Sequence, residues 1–465
     1  MKKILRLLAL FLAFALIAAS CGGSDDSAET STDETTDGAT DETTADTTAD
    51  TTADEGDEAM ADGDAVTINW IQGSPVRDTA YELAQMYMDA TPGVTVEIIE
   101  GPTSATDLLG TYLQTFEAQS SEVDVLNIDV IWPGDLAEHL LDMNEYGAAD
   151  VTGAHFPAIV ENNTRDGRLV GIPFFTDAGL LYYRTDLLEK YNYDAPPATW
   201  DELEEMAQTI QDGEQAENPD FTGFVWQGNA YEGLTCDALE WIKSHDGGEI
   251  VDPDGTISVN NPNAVAALER AAGWVGTISP TGVTGFQEED SRAVWNAGNT
   301  AFMRNWPYAY SLSQDEENST IVGLVGVAPL PAGPDGAPAA TLGGWQIAVS
   351  QYSEHPDEAA AFALWLTSEE SQKINAIQES LLPTIESLYT DADVLEANPF
   401  FGDLYDVFTN AVARPSTVTA PNYNQTSVAF FNAVHSVLTG ENDAPTALEE
   451  LELDIEDITG LSPGS

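Results

Sequence analysis

Lysine and arginine are scarce in this chain. Its 465 residues hold 14 of them against 80 Asp and Glu, a formal charge of −66. Nucleic-acid binding through phosphate neutralisation needs clustered cations, so it is excluded. An anionic membrane surface would repel the protein as well. Cysteine is nearly absent, with only Cys21 and Cys236. The five histidines (His139, His155, His245, His355 and His435) form no pair at metal-ligand spacing. No Gly-x-Ser-x-Gly elbow, phosphate-cradling loop or dinucleotide motif occurs, and neither a metal nor a cofactor is expected. No period of 20–50 residues recurs, which argues against repeat architectures. What is present is apolar: 43% of residues are hydrophobic, including 10 Trp, 15 Tyr and 16 Phe. A wholly disordered chain is thereby excluded. The length suits roughly two to three domains or one large two-lobed unit.

The amino terminus reads as an address. Lys2, Lys3 and Arg6 precede an apolar run from Leu7 to Ala19, too short to cross a bilayer comfortably and fitting a secretory h-region. It ends in Ile17-Ala-Ala-Ser-Cys21-Gly-Gly23, which resembles a bacterial lipoprotein cleavage site with Cys21 as the lipidated residue. Residues 1–21 are therefore expected to be a lipoprotein signal peptide, with anchoring at the outer face of the cell membrane. No other window offers 18 unbroken apolar residues, so the lipid on Cys21 is the sole expected membrane contact. Residues 22–64 carry 16 acids, no base and three Thr-Thr-Ala-Asp repeats from Thr43 to Asp54. With almost nothing to bury, they read as a disordered tether spanning roughly 35 Å as a random coil. With Cys21 lipidated, Cys236 has no partner for a disulfide and reads as a buried small hydrophobe.

Residues 65–465 carry 64 acids against 11 bases. That coat keeps a protein hydrated at some cost in self-repulsion. It reads as adaptation to saline surroundings or as drift at exposed positions, and neither reading names a ligand. Beneath it, the order Val66–Trp70 strand, Ala80–Ala90 helix, Val94–Ile99 strand, Leu108–Ala118 helix and Val123–Ile131 strand predicts a parallel sheet flanked by helices. Ligands of such sheets bind beyond the carboxyl ends of the strands, where Asp129 and Trp132 fall. Thr199-Trp-Asp-Glu202 predicts a capping box. Strands are expected at Leu180–Tyr183, Gly223–Trp226, Gly298–Met303, Val325–Ala328 and Gln346–Ser350.

Aromatic side chains gather in loops with glycine, proline and acids: Trp132, Phe174-Phe175 before Asp177, Trp226 with Glu232, Trp306-Pro-Tyr308, and Gly343-Gly344-Trp345. Some of these rings could be packing anchors. Grouped together they suit a sugar, whose C–H faces stack on rings while carboxylates or Arg take its hydroxyls, each charged bond worth about 1.5–3 kcal/mol. A glycoside hydrolase stays open on composition, because carboxylates are abundant.

At these residues the chain resembles the family 1 extracellular solute-binding proteins of ABC transporters, within them the trehalose/maltose-binding branch. The resemblance rests on Ile128-Asp-Val-Ile-Trp-Pro133, Asp177-Ala-Gly-Leu-Leu-Tyr-Tyr-Arg184, Pro197-Ala-Thr-Trp-Asp-Glu-Leu203, Gly223-Phe-Val-Trp-Gln-Gly228, Arg304-Asn-Trp-Pro-Tyr308 and Ala340-Thr-Leu-Gly-Gly-Trp345, and it covers residues 65–460. It implies an α/β, two-lobed periplasmic-binding-protein-like fold of type II, with several chain crossovers and the ligand cleft between lobes. The N-lobe is expected at roughly 65–175 plus 320–365, the C-lobe at 176–319 plus 366–465. A monomeric, non-enzymatic protein is implied, closing on a sugar and delivering it to permease subunits. Asp129 and Asp177 would bind hydroxyls, Trp306 and Trp345 would stack, and Trp132, Phe175, Glu232, Tyr308, Gly343, Gly344 and Arg414 would line the site. Two positions depart from the branch: Arg77 lies where an acidic ligand-binding residue is usual, and Leu108-Leu109 where a basic one is.

Overall fold

The computed structural model describes residues 65–334 and 336–464; the expected signal peptide, Cys21 and the acidic tether lie outside them. The chain opens as β1 (Val66–Gln72), α1 (Asp78–Ala90), β2 (Val94–Glu100), α2 (Ala105–Glu117) and β3 (Val125–Asp129). α1 buries Ala80, Leu83, Ala84 and Tyr87, one stripe at helical spacing. Ser104 caps α2 by accepting from the Asp107 amide. After β4 (Ile172–Ala178) come β5 (Leu180–Arg184), α3 (Trp200–Glu214), β6 (Thr222–Val225), α4 (Glu232–Ser244), α5 (Pro262–Trp274), α6 (Glu288–Asn296), β7 (Thr300–Asn305) and β8 (Val325–Ala328). The capping box at Thr199 forms, with each partner accepting the other's amide at 3.2 Å. The chain ends with β9 (Leu342–Val349), α7 (Pro356–Leu366), α8 (Glu369–Glu379), α9 (Tyr423–Leu438) and α10 (Ala444–Thr459).

Two sheets define two lobes. The first has the order β2-β1-β3-β9-β4 and the second β8-β5-β7-β6. β2, β1 and β3 are parallel as expected, but β9 is antiparallel to both β3 and β4. The reason is positional: β9 enters the sheet from the other lobe, at the end where β3 and β4 finish, so it can only run backwards between them. That strand begins at Leu342, so Gly343, Gly344 and Trp345 lie inside it and not in a preceding loop.

The lobe boundaries differ from those expected. β8 pairs with β5 in the second sheet, so the chain joins the first lobe at β9 and not near residue 320. α7 packs in the first lobe's core with Trp70 and Ile347, whereas α8 lies between the lobes, its Ile374 against that core and its Ala376 against Leu180, Tyr182 and Met303 of the second sheet. The second lobe's largest core joins Trp200, Trp226, Trp241 and Trp274 to Phe430, Val434 and Leu448 of α9 and α10. The chain crosses between lobes at Gly179, again just before β9, and a third time near residues 411–416. The last two crossings run side by side, Leu342 and Val412 donating amides to Val412 and Ala340 carbonyls at 2.8 Å each.

Candidate functional site

β3, β4 and β9 place their cleft ends in one row. Trp345 is in register with Asp129 on one side and Phe175 on the other, and Gly343 faces Asp177. Side chains at these positions reach a cavity of about 380 Å³ between the lobes. Its lining contains Asp129, Phe175, Asp177, Glu232, Trp306, Tyr308, Gly343, Gly344, Trp345 and Arg414. Close approach requires glycine at 344 and favours it at 343. A Cβ on Gly344, whose φ is +120°, would stand 2.5 Å from the Phe175 carbonyl oxygen, and one on Gly343 would stand 3.1 Å from the Trp306 ring.

Trp132 is the exception among the expected site residues. It is 2% exposed and does not line the cavity. The single helical turn Pro133–Leu136 that follows β3 turns its indole inward, edge-on to Trp345 with ring centres 5.5 Å apart. It therefore sets the tilt of Trp345. Trp226 is also a packing residue, fully buried against Trp241 at 5.0 Å. Trp306 is braced from beneath by Arg304, whose guanidinium carbon lies 4.0 Å from the ring centre. Arg304 is itself buried on Glu240 (2.6 and 2.8 Å) and Asp237 (3.0 Å).

Arg414, on the third crossing, bonds Asp129 of the first lobe at 2.9 Å and Glu232 of the second at 2.8 Å. Glu232 also accepts from Tyr423 (2.5 Å) and Ser427 (2.6 Å). Burial raises the Glu232 carboxyl, against the pull of Arg414 and these hydroxyls. With both oxygens already engaged, Glu232 acts by holding Arg414, and Arg414 by holding the lobes. Asp129 shares its Oδ1 between Arg414 and the Ile131 amide. Asp177 is only 8% exposed, and its Oδ1 has no hydrogen-bond partner among the described residues. Burial pushes its pKa up to about 8, Arg77 pulls the other way, and Asp129 adds to the rise. Cys236 is buried and lines the cavity, and burial raises its thiol, which disfavours the reactive thiolate.

The bacterial extracellular solute-binding protein family matches residues 73–373. A probable ABC transporter-binding protein of Deinococcus radiodurans is 57% identical over 368 residues, 79% of this chain and 87% of that protein. The chain belongs to the bacterial extracellular solute-binding proteins. Maltose-bound MalE3 of T. maritima superposes with a TM-score of 0.80 at 41% identity, covering 84% of this chain and all of that one. A mannitol-binding protein of Pseudomonas aeruginosa is 26% identical over 249 residues, 52% of this chain and 56% of its own. The two sheets are thus the lobes of a type II binding-protein fold.

This solute-binding protein also lines its cavity with residues that sequence reasoning passed over as site members. Arg77 lies over the rings of Phe175 and Tyr308, 5.4 Å from each centre. Glu288 and Glu289 open α6, where the helix dipole favours acids. Glu288 accepts from Tyr231 (2.6 Å) and Trp306 (3.3 Å), and Glu289 accepts from Tyr308 (2.7 Å) and pairs with Arg292. Arg77 follows the carboxyl end of β1, so the rule that pointed to Asp129 also covers its loop. The two glutamates had no such marker. The helix around Leu108 and Leu109 supplies no cation, because both leucines are buried in the core.

Proposed function

We propose that this protein captures an α-linked disaccharide or short maltodextrin, of the trehalose, maltose or sucrose class, and delivers it to an ABC permease from a lipid anchor at Cys21. One observation carries the reading: Trp306 and Trp345 share a single cavity with Asp129 and Asp177. Rings offer faces to sugar C–H groups, and the carboxylates take hydroxyl protons. The 41% identical neighbour that binds maltose supports the same class. Lobe closure follows from differential binding, since a ligand touching both lobes favours the closed form by the contacts only that form provides. A second reading, another polyhydroxylated solute on the same scaffold, draws support from the mannitol-binding relative and from Arg77 in the lining.

Calorimetry against trehalose, maltose, sucrose and maltotriose tests the proposal. Saturable heat with at least one of them is expected. No binding to any would favour the second reading, and conversion of a disaccharide into monosaccharides by the purified protein would overturn both.

A further inference from the structure

Three arginines line the cavity, and two are matched to carboxylates: Arg414 to Asp129 and Glu232, Arg292 to Glu289. Arg77 makes no ion pair or side-chain hydrogen bond among the described residues. Its contacts are the rings of Phe175 from the first lobe and Tyr308 from the second. Attraction to ring faces holds a guanidinium in place without consuming its N–H donors. Those two rings are consequently occupied by a cation, and any ligand near them meets the guanidinium. Of the cavity's buried carboxylates, Glu232 has both oxygens engaged, Asp129 keeps Oδ2 free because Arg414 and the Ile131 amide both bond its Oδ1, and Asp177 has an unpartnered Oδ1. Asp177 lies two residues beyond Phe175 in β4, on the same face of the strand as the ring that Arg77 covers, and all three line the cavity. The cavity therefore offers one free set of donors, on Arg77, and the Asp177 carboxylate is the free acceptor on the strand face that those donors cover.

A hydroxyl group both donates and accepts, so a neutral pair of neighbouring hydroxyls satisfies both ends at once. An anionic ligand would suit Arg77 but would face Asp177, Asp129, Glu288 and Glu289. An ammonium would suit Asp177 and leave Arg77 unmatched. We infer that Arg77 and Asp177 together grip one vicinal diol of the bound sugar, Arg77 donating to its oxygens and Asp177 accepting its protons, and that Arg77 thereby determines which sugar is accepted. The inference rests on the sugar-binding reading above.

The test is calorimetry with the tightest binder among trehalose, maltose, sucrose and maltotriose, together with its monodeoxy analogues. Arg77→Gln is expected to weaken binding by about ten- to a hundredfold, the loss of one or two charge-assisted hydrogen bonds. One deoxy analogue should bind the wild type poorly yet bind Arg77→Gln no worse than the parent sugar does, the non-additivity of a broken pair. Arg77→Lys keeps the charge over the rings but not the forked donors, and should recover only part of the affinity. It also serves for the same comparison should Arg77→Gln melt early. If the wild type binds the sugar and Arg77→Gln matches it on every analogue, this inference fails while the sugar reading stands. A wild type that prefers a uronic-acid disaccharide to its neutral counterpart, with the preference lost in Arg77→Gln, would also overturn the diol grip. A wild type that binds none of the four sugars would overturn the reading and the inference together.

Discussion

Asp177, next to last in β4, has its carboxyl buried, and the consequence is a titration near neutrality. An unfolded aspartate ionises near 3.9, whereas burial moves this one up to about 8. Between those values the folded protein holds a proton that the unfolded chain does not. Accepting two sugar hydroxyls needs the ionised form, so binding below pH 8 must release that proton. Affinity should therefore climb from about pH 6 to about pH 8 and level off above, with proton release visible as a heat that changes with the buffer's ionisation enthalpy. A flat profile would show that no proton leaves Asp177 on binding in that range. The same position and Trp345 carry the plainest mutational expectation: Asp177→Ala and Trp345→Ala should each weaken sugar binding by about tenfold or more. If titrations of both variants matched the wild type, the cavity described above would not be the binding site.

Elements differ in how openly the sequence declares them. β1 to β3 and their helices are legible because each has its own periodicity and turn, and the Thr199 box because four adjacent residues build it. The direction of β9 is not legible, since it depends on where the chain re-enters the first lobe. For the same reason β8 is expected in the first lobe but pairs in the second sheet: local pattern shows a strand or a helix but not its long-range partner. The site shows the same split. Aromatics beside glycine or proline stand out, and of these Trp306 and Trp345 line the cavity, while Trp132 is indistinguishable from them until its packing is seen. Glu288 and Glu289 look like any acids at a helix start. The segment after α8 illustrates a contact that no pattern announces: His155, 4% exposed, is bonded to Thr384 at 2.7 Å across 229 positions of chain. Burial lowers its pKa to about 4, against about 6.5 unfolded. In that window the unfolded chain takes up a proton that the folded one refuses, so this contribution is complete above pH 6.5 and is lost as pH falls toward 4. His155→Gln should therefore lose less melting temperature between pH 7 and pH 5 than the wild type does. An equal loss in both would show that other groups set the acid limb.

For the whole molecule, the charge that dominates the composition and the charges that organise the cleft are different populations. The net acidity of residues 65–465 is spread over the chain, while a few buried arginines fix the geometry. Arg414 is the one that spans the lobes. Removing it leaves Asp129 and Glu232 buried without their cation, and breaking a buried pair in this way typically costs about 3–5 kcal/mol. Arg414→Met should melt well below the wild type and, without sugar, show a larger radius of gyration in X-ray scattering. A scattering curve identical to the wild type's would mean that the bridge does not restrain the lobes. If it does restrain them, part of the work of closure is done by the protein before any sugar arrives, and affinity rises accordingly. The same head start would blur the message: a permease that judges cargo by shape would more often meet the closed form empty, a false signal traded for sensitivity.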